Sequence, residues 1–103
     1  MRIIKDISEK IEDELDDAEE YVKLALREKE SEPVVSDLFY SLAKEEMGHM
    51  NRLHDCVAKL IKSYREKEGE PPEPMMAVYN YLHEKFMKQA SQIQWYLDKY
   101  SDR

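Results

Sequence analysis

One hundred and three residues with 38% charged against 42% hydrophobic side chains, two glycines and four prolines have the balance of long amphipathic helices in one small all-α domain. A net charge of −7 argues against general nucleic-acid binding, which needs a basic face to displace counterions from phosphates. The lone Cys56 has no intramolecular disulfide partner, no apolar run approaches the roughly 20 residues of a membrane span, and the N-terminus lacks a signal-peptide core, so a cytoplasmic location is expected.

Helix 1 is expected from about residue 3 to 30. Ile4, Ile7, Ile11, Ala18, Tyr21 and Ala25 recur at alternating steps of three and four and lay one apolar stripe along it, widened by Leu15, Val22 and Leu26. Glu14 interrupts that stripe, seven residues after Ile7 and seven before Tyr21. The other acidic residues of this segment mostly lie off the stripe and read as solvated.

Ser31-Glu32-Pro33 punctuates the pattern, because proline suits a first helical turn where its missing N–H would have no partner. Helix 2 should then run from 33 to about 68. Its stripe reads Val35, Phe39, Leu42, Glu46, His49, Leu53, Cys56 and Leu60, with Leu38, Met50, Val57 and Tyr64 beside it. Cys56 on that stripe reads as a small buried hydrophobe.

Gly69-Glu70-Pro71-Pro72-Glu73-Pro74 breaks the chain again, since glycine ends helices and consecutive prolines cannot continue one. Helix 3 is expected from about 74 to 100, with Tyr79, Phe86, Ile93 and Tyr100 spaced by seven. His83 falls at the edge of its stripe, with Glu84 turned further out. His54 reads as a boundary or surface histidine. Loops of three to six residues make sequential helices antiparallel neighbours, and the aromatic and methionine content exceeds what a thin three-helix core can bury, so a homodimer or larger homo-oligomer is expected.

Three polar residues therefore stand on apolar stripes: Glu14 on helix 1, and Glu46 and His49 on helix 2. Residues three apart on a helix point the same way. If helices 1 and 2 turn back on each other near residue 32, Glu14 comes level with Glu46 within about one helical turn. Two carboxylates and an imidazole converging in an apolar setting are costly unless something satisfies them together, and a divalent cation is among the few partners that can. The competing reading is a polar contact or salt bridge between helices. Tyr21 reads as core packing or as a hydrogen-bond donor behind the carboxylates, His83 as a packed interface histidine or a further ligand, and Glu84 as a surface residue or a weaker ligand candidate.

Glu14 with Tyr21 seven residues later, followed by Phe39, Ala43 and Glu46-Met47-Gly48-His49, resembles the first half of the ferritin-like superfamily, particularly rubrerythrins and encapsulated ferritins. The resemblance covers about residues 11 to 53. It implies Glu14 as a terminal ligand, Glu46 as a bridging ligand, His49 as a terminal ligand and Tyr21 as a neighbouring aromatic, with iron, or alternatively manganese, as the metal. The second Glu and Glu-x-x-His pair of a full-length ferritin is missing; helix 3 offers only His83-Glu84. By this resemblance two chains would pair about a two-fold axis and pool their ligands into one dinuclear site with a ferroxidase or iron-handling role. A non-enzymatic helical interaction protein with a degenerate metal site is the alternative. No nucleic-acid or membrane partner is expected.

Overall fold

The computed structural model describes residues 2–102. They form three helices, α1 (Arg2–Glu28), α2 (Pro33–Glu68) and α3 (Glu73–Ser101), with no strand among the described residues. The breaks fall where the punctuation predicts. Pro33 occupies the first turn of α2, and Gly69 closes that helix with φ at 83° and its N–H donating to the Arg65 carbonyl at 3.1 Å. A positive φ is cheap for glycine and costly for other residues, so the last turn of α2 ends there. Proline also opens α3, where the Met75 and Met76 amides donate to the Pro72 carbonyl.

The bundle measures 55 × 19 × 17 Å. In a rod that thin the core is little more than one line of side chains: Ile4, Ile11, Leu15, Ala18 and Val22 from α1, Ala43, Met50, Val57 and Ile61 from α2, and Phe86, Ile93 and Leu97 from α3. Of the α3 residues spaced by seven, Phe86, Ile93 and Tyr100 are buried and Tyr79 is half-buried. Contacts between α1 and α2 run from Ser36–Ala25 near the connecting turn to His49–Glu14 at mid-length.

The α2 core differs from the sequence expectation. Its buried line is Ser36, Ala43, Met50, Val57 and Ile61, whereas Val35, Phe39, Leu42, Glu46, His49, Leu53, Cys56 and Leu60 are half-buried or exposed. Cys56, read as buried, is exposed. Alpha-2 carries two adjacent apolar stripes, and Ala43 and Ser36 on the inner one are so small that α1 can approach closely there. The outer stripe, richer in large side chains, stands at the rim of the α1–α2 groove.

Ser36, fully buried, donates at 2.6 Å to the Ala25 carbonyl and meets the Tyr100 hydroxyl at 2.9 Å. Tyr100 in turn donates to Asp37, and Lys29 donates to the Tyr100 carbonyl at 2.6 Å. This cluster pins the end of α3 beside the α1–α2 connection and satisfies each of its buried polar atoms.

Candidate metal centre

Glu14 lies at the middle of α1, between the buried Ile11 and Leu15, and Glu46 and His49 lie one turn apart near the middle of α2. That placement brings all three side chains together. His49 Nδ1 is 3.4 Å from Glu14 Oε2 and 3.9 Å from Glu46 Oε1. One ligand atom from each of the three lies within 4.8 Å of the others, and this is the group with metal-ligand chemistry found among the described residues. Two donors held about 2.1 Å from one first-row ion are roughly 3 Å apart when adjacent and roughly 4.2 Å apart when opposite. The separations to His49 fall between those limits.

The carboxylates are more enclosed than the imidazole: Glu46 is 19% exposed, Glu14 24% and His49 54%. A cavity of about 370 Å³ opens over Glu14, His49, Arg52 and Leu53. The Glu46 carboxyl is pushed up to about 7, chiefly because in its protonated form it can donate to the facing Glu14, and further because of burial and the Glu14 charge. The His49 ring works in the opposite direction, and Asp17, one turn along α1 from Glu14, adds to the rise. Two carboxyl groups are therefore held where they cannot both ionise cheaply. A proton shared between them satisfies the pair, and so does a divalent cation.

Helix α3 stays away from this side of the bundle. Its ties to α1 are Gln89 to Asp16 at 3.0 Å, Lys85 to Glu12 at 3.6 Å and Tyr96 under Lys23. Its ties to α2 are Tyr100 with Ser36, Asp37 and Tyr40 at one end and His83 against His54 further along. Residues two apart on a helix differ by about 200° in direction, so Glu14 and Tyr21 point nearly opposite to Glu12, Asp16 and Lys23. The α1–α2 groove around the acidic centre is left uncovered. Glu14, His49, Arg52 and Leu53 line its opening, and on α2 Phe39 and Leu42 are half-buried while Val35 and Leu38 are 39% and 55% exposed.

Tyr21 stacks on Phe39, with ring centres 6.1 Å apart, and packs against the core edge. His83 stands apart from the three-residue centre, paired with His54, and Glu84 is exposed. Asp17, read as solvated with the other acidic residues of α1, is exposed yet still acts on Glu46 through its charge. Arg52 escaped the sequence reading; it lies three residues beyond His49, and that helical spacing was the available signal. Compared with known proteins, the chain matches no family model, no curated protein and no solved structure.

Proposed function

We propose that the chain is a small metal-binding helical protein whose carboxylate–imidazole centre is completed by a second copy. The observation that carries this reading is the convergence of Glu14, Glu46 and His49 beside an open pocket that α3 does not line. One chain offers three donors, too few to enclose two ions. Two chains facing each other across the groove double the set to four carboxylates and two imidazoles while covering Phe39, Leu42 and Leu38. The antiparallel order of the helices is part of the reading, supported by the Ser36–Ala25 and His49–Glu14 contacts, in which numbering rises along α2 as it falls along α1.

Mainly carboxylate donors with limited imidazole suit iron or manganese, and two such ions held together supply two-electron redox chemistry. In this scheme Glu14, Glu46 and His49 would hold the metal, and the resemblance assigns Glu46 the shared position and Glu14 and His49 the terminal ones. The resemblance to rubrerythrins and encapsulated ferritins favours iron and a ferroxidase or iron-handling role. The incomplete ligand set of the single chain favours the second reading, a helical interaction protein in which Glu14, Glu46 and His49 form only a polar contact.

Iron and manganese content of protein purified from metal-supplemented cells, set beside the Glu46→Ala and His49→Ala variants, separates the two. Metal in the wild type and its loss in both variants supports the proposal, and negligible metal in all three refutes it. Light scattering on the same samples should give a dimer or a multiple of one.

A further inference from the structure

Away from the acidic centre, His54 of α2 and His83 of α3 meet edge to edge. His54 Nε2 lies 3.2 Å from His83 Nδ1 while the ring centres are 5.0 Å apart, so the two nitrogens face one another across the gap between the rings. The rings are only 30° from parallel. Asp55 Oδ1 lies 3.9 Å from His54 Nδ1, on the side of that ring away from His83. Tyr79 stacks on the other side of His83, with ring centres 5.9 Å apart, and fixes the plane of that ring. Both histidines line a cavity of about 10 Å³ whose other walls are Ser8, Ile11, Val57, Tyr79, Leu82 and Phe86, room for about one water or one ion.

From this geometry we infer a second metal site, in which His54 and His83 bind one late first-row divalent cation of the Zn²⁺ type and clamp α3 to α2. Two imidazole nitrogens at about 2.05 Å from a tetrahedral zinc are roughly 3.3 Å apart, which the 3.2 Å separation already matches. Imidazole donors without a converging carboxylate suit zinc, copper or nickel, in contrast to the carboxylate-rich centre around Glu46. Without metal, one of the two facing nitrogens donates to the other. With metal, that proton moves through solvent to the far nitrogen of the same ring, and the two facing lone pairs supply two of the ion's ligands. Helix α3 packs mainly on α1 and touches α2 little, so a cation here adds a cross-link where the bundle is weakly tied. The inference does not depend on the function proposed for Glu14, Glu46 and His49.

The test is thermal unfolding with added Zn²⁺ in a His49→Gln chain, which disables the acidic centre and isolates the second site. Zinc at about 100 times its Kd should raise the midpoint by on the order of 10 °C. Adding His54→Gln or His83→Gln to that chain should abolish the rise. No rise in His49→Gln, or a rise that survives either added substitution, overturns the inference and leaves a hydrogen bond only. In case a double variant fails to fold, imidazole ¹H–¹⁵N spectra of the wild-type chain give an independent reading. Zinc should shift the His54 and His83 ring nitrogens together, and unchanged His54 and His83 resonances would overturn the site.

Discussion

Replacing Glu46 with glutamine removes the ionisable member of the central carboxyl pair and keeps its shape. In the metal-free wild type the Glu46 carboxyl titrates near 7 in the folded chain, against an ordinary 4.5. Below about pH 4.5 it is protonated in both folded and unfolded chains and imposes no penalty. Between there and pH 7 the unfolded chain loses its proton while the folded one keeps it, so stability falls as pH rises. Above 7 the full penalty is present. Such a displacement corresponds to about 3 kcal/mol, an upper bound because the neighbouring His49 is half exposed and solvent screens the pair. Urea unfolding of metal-free wild type and Glu46→Gln, followed by helical circular dichroism at one fixed protein concentration, should give similar stabilities at pH 4. The variant should be the more stable by about 1–3 kcal/mol at pH 8. Taking the difference between the two proteins cancels the titrating groups that do not interact with Glu46. Parallel stability curves across the whole range would refute the coupling of Glu46 to Glu14.

Leu15, fully buried at mid-bundle, should cost about 2–5 kcal/mol on truncation to alanine, read as a lower urea midpoint with unchanged slope. Gly48 is inside α2 with nothing within 4 Å of an added Cβ, so Gly48→Ala should raise stability by about 0.5–1 kcal/mol in the same assay. Tyr100→Phe removes the hydroxyl that joins Ser36 to Asp37 and should cost about 1–2 kcal/mol, with faster amide exchange at the end of α3.

Helix limits were legible because proline and glycine act locally. The sequence places α2 at 33–68, as observed, and misses the ends of α1 and α3 by at most two residues. The meeting of Glu14, Glu46 and His49 was legible as well, since all three break an apolar spacing. The inward face of α2 was not. Val35, Phe39, Leu42 and Leu53 form as regular a stripe as Ala43, Met50 and Val57, and periodicity records only that a side is apolar. Which of two neighbouring stripes turns inward depends on how closely the next helix approaches, and that is set by Ala43 and Ser36. Cys56 was misread for the same reason. The His54–His83 pair was hidden because their meeting depends on where α3 crosses α2, a tertiary fact with no counterpart in the spacing of either helix.

A bundle 55 Å long and under 20 Å thick behaves as a ladder, with Ser36, Ala43, Met50 and Val57 as successive rungs seven residues apart. Each rung leans on its immediate neighbours, so opening at one end need not be felt at the other. The end near the α1–α2 connection is bolted by Ser36, Asp37, Lys29 and Tyr100. At the far end α2 runs on past Ile61 with no buried side chain, and fraying begins there. Glu14 and Glu46 occupy a middle rung, which fraying reaches only after the rungs outside it have opened. The least comfortable pair of carboxyl groups in the chain is thus set well back from the end at which the ladder opens first.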